Sequence, residues 1–121
     1  MTEVRSLTLE EYALLNQPGL RMLIGIDLSY TYLPTIDFTS TNLNGANFQG
    51  AILSEANFSR AALQSADLRG AQLWRANFEN ADLSGANLQG ANLEGAKLDG
   101  ATMWGPCVSI ISKTLPTPKL L

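Results

Sequence analysis

From Ile26 to Gly105 the chain places a large apolar residue at every fifth position without a slip. The series is Leu28, Leu33, Phe38, Leu43, Phe48, Leu53, Phe58, Leu63, Leu68, Leu73, Phe78, Leu83, Leu88, Leu93, Leu98 and Met103. Two residues before each except Leu28 sits a smaller one, and it is alanine in every quintet from Ala46 to Ala101. A helix turns by about 100° per residue, so a five-residue step visits every face and leaves no stripe. An uninterrupted strand alternates with period two, so an odd step would invert its apolar face at each repeat. The pattern therefore predicts a very short extended piece followed by a corner. In Ala56-Asn57-Phe58 the alanine and phenylalanine point inward and the asparagine outward. Ser59-Arg60 then turns the chain onto the next wall.

The aromatic residues indicate how many walls close a coil. Phe38, Phe58 and Phe78 recur at intervals of twenty, which is four quintets. A four-sided coil stacks these rings in one column and puts Phe48 on the opposite wall, whereas a three-sided coil scatters them. Coils at sheet spacing, about 4.8 Å, give a repeat body of about four coils rising roughly 19 Å. Phe38, Phe48, Phe58, Phe78, Leu68 and Leu88 are expected in its core.

These quintets resemble the A-(D/N)-L-x-x pattern of the pentapeptide-repeat family, and the chain is similar to the small members abundant in cyanobacteria. The resemblance covers about two thirds of the chain. It implies an all-β solenoid, a right-handed, four-sided parallel β-helix. The first four quintets depart from the pattern, with Ile26, Thr31, Ile36 and Thr41 in place of alanine and Pro34 after Leu33. The larger residues predict a wider or less regular first coil. Proline cannot donate to a ladder, which fits a coil at the end of the stack.

The flanks divide the chain into residues 1–25, the repeat body 26–105 and residues 106–121. Thr8 and Glu11 are spaced as a capping box. Leu9, Tyr12, Ala13 and Leu15 follow at helical spacing until Asn16-Gln17-Pro18-Gly19. A short helix over about 9–16 is expected to cover the first coil, because solenoid ends need covering. It could instead dock on the side or bind a partner. Leu23 and Gly25 keep the phase and mark a degenerate lead-in repeat. Beyond Gly105, Val108, Ile110 and Ile111 either fold back over the last coil or, with Trp104, meet a second subunit as a homodimer. Pro116 and Pro118 keep the last residues extended or disordered.

Counting by twenty sorts the outward side chains into columns. Tyr32, Ile52, Gln72 and Asn92 form one column, with Pro34, Ser54, Trp74 and Glu94 beside it. Tyr32, Ile52 and Trp74 thus make the most apolar outer wall. Together with Trp104 they are the candidate interaction surface, because exposed aromatics are good binding anchors. Glu55 and Arg75 lie on adjacent coils and are expected to pair.

Composition removes most chemistry. The chain of 121 residues is one domain, with no histidine and a single cysteine, Cys107. A neutral-pH general base, a histidine-ligated metal, a thiolate cluster and an internal disulfide are all unavailable. Cys107 after Pro106 is expected to be an inert small residue. Repeat glycines fall at the fifth position, where corners need unusual dihedrals, and form no phosphate-binding loop. No enzyme activity, cofactor or metal is expected. The acidic start lacks an apolar leader and no apolar run is long enough to span a membrane, so a cytoplasmic location is expected.

The expected role is a non-enzymatic scaffold or protein-interaction module with a protein partner. The alternative comes from the family, some of whose members resemble a DNA duplex and bind type II topoisomerases such as gyrase. Residues 26–105 carry eight acidic and four basic side chains, a net of −4. A rod of this height would need on the order of eleven negative charges to match B-DNA. The charge therefore speaks against mimicry, and without a basic patch direct nucleic-acid binding is not expected.

Overall fold

A computed structural model of the protein describes residues 4–15 and 22–104. Its ladders are parallel bridges between residues twenty apart, running from Met22↔Asn42 through Tyr32↔Ile52 and Asn57↔Asn77 to Asp82↔Thr102. Four quintets therefore close one turn of a β-solenoid. The register already includes Met22, and Leu23 is buried.

Each position of the quintet has its own hydrogen-bonding duty. The central residue donates to the second-position carbonyl of the next coil, as Phe58 N does to Asn77 O at 2.7 Å. The second residue donates back to the first-position carbonyl of the previous coil, as Asn57 N does to Ile36 O at 2.9 Å. The fifth residue donates to the next coil's fourth carbonyl, as Arg60 N does to Glu79 O at 2.9 Å. The first residue closes a turn to the central carbonyl before it, as Ala61 N does to Phe58 O at 3.0 Å. The fourth N–H does not enter the ladder. Where the second residue is Asn or Asp, its Oδ1 accepts that N–H, as in Ser59 N to Asn57 Oδ1 at 2.9 Å. The same bond recurs at Asp27, Asp37, Asn42, Asn47, Asp67, Asn77, Asp82, Asn87 and Asn92. The recurring Asn/Asp is thus an Asx turn that shapes the corner. Pro34 stands at a fourth position behind Tyr32, which has no such acceptor, so the ring displaces no ladder bond.

The corner forces the fifth residue into the left-handed region. Every fifth residue from Gly25 to Gly100 has positive φ, including Tyr30, Thr35, Ser40, Glu55, Arg60, Ser65, Arg75 and Asn80. With φ positive at the third of four turn residues, the corner has the type II pattern that glycine suits best. Thr35, at φ 62°, is the costliest occupant, because a β-branched side chain crowds its own backbone there.

Inside the bore the alanines from Ala46 to Ala101 and the central Leu and Phe residues are buried. Phe58 and Phe78 stack with centroids 4.9 Å apart and planes 3° from parallel, and Phe38 continues the column 5.4 Å from Phe58. Phe48 meets Phe38 and Phe58 edge-on at 5.8 and 5.7 Å. Leu68 and Leu88 are fully enclosed. In the first coil Thr31 and Thr41 are buried where alanine stands later. Their hydroxyls donate to Leu28 O at 2.6 Å and Thr39 O at 3.2 Å.

The N-terminal segment attaches to the first coil. Helix α1 spans Leu9–Leu15. Its capping box is formed: Glu11 N donates to Thr8 Oγ1 at 3.1 Å, and Thr8 N to Glu11 Oε1 at 2.8 Å. Leu15 is buried in the core, and Leu7 packs against it. Arg5 bridges to Thr31, and its N–H donates to Tyr30 O. Its guanidinium reaches Asp27 O at 2.9 Å and Ser29 O at 3.1 Å, and both oxygens of Glu11 at 3.0 Å. The bonds from Arg5 and Thr8 hold the Glu11 carboxyl down at about 2, against an ordinary 4.5.

Three outcomes follow. Phe58→Ala should cost about 3–5 kcal/mol in urea unfolding, because rings above, below and across lose their partner. Thr35→Gly should raise stability by about 0.5–1 kcal/mol, relief of left-handed strain outweighing the added chain freedom. Glu11 has a depressed folded value, so its contribution is complete above pH 4.5 and fades as pH falls toward 2. The stability gap between wild type and Glu11→Gln, read from urea midpoints, should hold steady from neutral pH down to about 4.5 and narrow from there toward pH 2.

Candidate interaction surface

The ladder sets this surface directly. Tyr32 pairs with Ile52, Ile52 with Gln72, and Gln72 with Asn92, so the four side chains leave one wall in a column at sheet spacing. Trp74 leaves the same wall two residues after Gln72. Tyr32 is 64% exposed, Ile52 half-buried and Trp74 37% exposed. The wall narrows in apolar character along the stack. Below Ile52 the column ends in amides, with Asn92 Nδ2 donating to Gln72 Oε1 at 3.4 Å.

Trp74 does not stand alone. The Arg75 guanidinium lies over its ring, 4.6 Å from the centroid. The expected Glu55–Arg75 ion pair is not formed; the described ion pairs are Arg5–Glu11 and Asp67–Arg69. The physical reason is local. An exposed ion pair between coils gains little in water, whereas the indole face one residue away offers the cation a site at low entropic cost.

Trp104 emerges two walls further round, in the column of Ser84, and so on the opposite side of the solenoid from Trp74. It is 59% exposed, and its N–H donates to Ser84 Oγ at 3.3 Å. Tyr32, Ile52 and Trp74 are therefore brought together, and Trp104 is not. The homodimer contact and the role of Cys107 fall within residues 106–121, outside the described residues.

Sequence reasoning missed where exposed apolar side chains gather. Besides Tyr32, Val4, Leu9, Tyr12, Leu14, Met22 and Ile24 are exposed, all at the N-terminal end. The signal was readable at two of them. Met22 and Ile24 flank the inward Leu23 at the second and fourth positions, which the quintet directs outward. The exposure of Leu9, Tyr12 and Leu14 depends on which face of α1 meets the core.

Asp67, Arg69 and Asp82 on the walls have local partners. Arg69 donates twice to Asp67 and holds its carboxyl below the usual range. Burial pushes the Asp82 carboxyl up, but donors from Ser84 and Gln64 outweigh it and leave a net depression. Among the described residues no three His, Cys, Asp or Glu side chains converge as metal ligands. No described helix is long and apolar enough to cross a membrane.

Comparison with known proteins agrees with this geometry. The family pattern for pentapeptide repeats matches eight copies, over residues 23–60, 36–70 and 66–105. A pentapeptide-repeat protein of the Arabidopsis thaliana thylakoid lumen is 42% identical over 71% of this chain, with a TM-score of 0.58. The match covers 56% of that protein, so this chain spans little more than half its length. A pentapeptide-repeat protein from the cyanobacterium Cyanothece 51142 is 31% identical over 78% of this chain and 89% of its own, at a TM-score of 0.44. QnrB1, a plasmid-mediated fluoroquinolone resistance protein, is 21% identical over 69% of this chain and 56% of its own, with a TM-score of 0.52. At that identity the likeness concerns the fold alone. Among curated sequences none matches the chain significantly. With the family pattern in phase with the ladder from Leu23 onward, the chain belongs to the pentapeptide-repeat family.

Proposed function

We propose that the protein is a non-enzymatic interaction module that binds a protein partner through the wall of Tyr32, Ile52 and Trp74. The observation that carries this reading is an exposed Tyr32 and a partly exposed Trp74 on one rigid ladder-built wall. Both rings rise from backbone fixed by ladder bonds, so ordering them on contact costs little entropy. Met22 and Ile24 leave the opposite wall, the one that carries Thr102 and Trp104, and lie outside this surface. The finer architecture belongs to the same proposal. We take the solenoid to have about four coils and a right-handed turn, the hand that parallel β connections overwhelmingly adopt. The cytoplasm is the proposed compartment, where a lone cysteine is ordinary.

Topoisomerase modulation by DNA mimicry is the weaker reading. The outer charges are few and partly neutralised in place, as at Asp67–Arg69. A duplex mimic needs an unbroken acidic surface.

The test replaces Tyr32, Ile52 and Trp74 by alanine together, with the far-ultraviolet spectrum checked for an intact fold. Binding to a partner captured by wild type should weaken at least about tenfold, as expected for loss of aromatic anchors. Trp104→Ala, on the opposite wall, should leave it unchanged. Equal binding by wild type and the triple variant would remove this surface from consideration.

A further inference from the structure

Two of the described arginines are engaged close to where they stand. The Arg5 guanidinium donates to Glu11, Asp27 O and Ser29 O, and that of Arg69 to Asp67 and Gln49. Arg75 is placed differently. Its guanidinium lies over the Trp74 ring, 4.6 Å from the centroid, and forms no ion pair among the described residues. A glycine one coil later makes room for this pose. The Arg75 Cγ lies 3.1 Å from where a Cβ on Gly95 would stand. The stem therefore leans toward the following coil and away from Glu55.

Carboxylates flank the pair on two sides. Glu55 N donates to Trp74 O at 2.7 Å and Arg75 N to Glu94 O at 2.8 Å, so Glu55 stands one coil before the pair and Glu94 one coil after. Neither carboxylate forms an ion pair among the described residues. This wall carries two acidic side chains, Glu55 and Glu94, and one basic, Arg75, a net of −1. An indole face between carboxylates is an attractive site for a cation. Here the cation on it is the chain's own. A partner's anion aimed at Arg75 would meet Glu55 and Glu94 on either side.

We infer that Arg75 is an internal competitor for the Trp74 face, and that the wall takes a cationic segment of a protein partner whose arginine or lysine displaces it. The inference rests on the wall of Tyr32, Ile52 and Trp74 being the interaction surface. The incoming cation takes the indole face, with Glu55 and Glu94 beside it. Apolar groups of the same segment meet Ile52 and the exposed Tyr32. Exchange of one cation for another on the ring gains little by itself, so the two carboxylates and the apolar column supply the preference. Because the face is covered in the unbound protein, apparent affinity falls with the fraction of molecules in which Arg75 lies on it. Removal of Arg75 therefore strengthens binding, the reverse of what loss of a contact residue does.

Fluorescence anisotropy on the full-length protein at physiological salt tests this with two labelled peptides, one alternating arginine with serine and the other glutamate with serine. Arg75→Gly is the deciding variant. Its site has φ 58°, which glycine adopts without strain. Arg60→Gly is the matched control, with the same charge, repeat position and φ, but in a column without aromatic residues. Arg75→Gly should bind the arginine peptide about three- to tenfold more tightly than wild type, as expected for an uncovered indole. Arg60→Gly should change the affinity by less than about twofold, because salt screens its distant charge. Adding Trp74→Gln, a residue this repeat position already holds at Gln49, Gln64 and Gln89, should abolish the gain. Glu55→Gln with Glu94→Gln should weaken binding about threefold or more. The inference is overturned if Arg75→Gly gains nothing, if Arg60→Gly gains as much, if the gain survives Trp74→Gln, or if the glutamate peptide binds better. Its failure is separable from that of the wall itself. A captured partner still held by the Tyr32, Ile52 and Trp74 triple variant removes the wall. A partner lost by that variant, with no gain in Arg75→Gly, removes this inference alone.

Discussion

A backbone ladder with a twenty-residue register carries this molecule, and every other feature answers to it. Residues twenty apart sit one above another, so each side chain has a copy of its own position as its nearest neighbour. That is why the bore tolerates so few residue types. An alanine methyl and one Leu or Phe from each wall fill it completely, and a column that accepts Phe58 accepts Phe78 against it at stacking distance. The hydrophobic effect supplies the drive, but the ladder decides which groups meet.

The ladder also sets two structural problems. At the corners a residue must take positive φ every five positions. Glycine answers this in half of the described repeats, and the rest carry the strain on Tyr, Thr, Ser, Glu, Arg or Asn. Asx turns offset part of it by tying down the fourth N–H, which the ladder leaves unused. At the ends a parallel stack has no partner for its outermost groups. The first coil answers with a side chain, since Arg5 takes the place of two backbone donors. Capping box, ion pair and ladder cap meet in that one cluster, so Glu11 serves the helix and the solenoid at once.

The outer walls are where function can vary, because the ladder leaves every second, fourth and fifth side chain outside. The column of Tyr32 and Ile52, with Trp74 beside it, is a consequence of register and of nothing else. Arg75 over the Trp74 ring shows how an outward side chain then chooses among neighbours. It lies over an aromatic face and not against Glu55, because an exposed ion pair gains little in water.

The sequence alone determined the period, the inward and outward positions, the four quintets per turn and the family. Each rests on a repeat whose meaning is local: three residues of wall, two of corner, and rings at multiples of twenty. The capping box at Thr8 and Glu11 was legible for the same reason. Only the tertiary structure decided that Arg5 reaches Asp27 and Ser29, more than twenty residues away, because a side chain bonding to backbone carbonyls leaves no mark on residue type. It alone decided which face of α1 leaves Leu9 and Tyr12 in water. It alone separated Trp104 from Trp74 in use, since spacing gives the wall and only exposure and neighbours show what a ring on that wall touches.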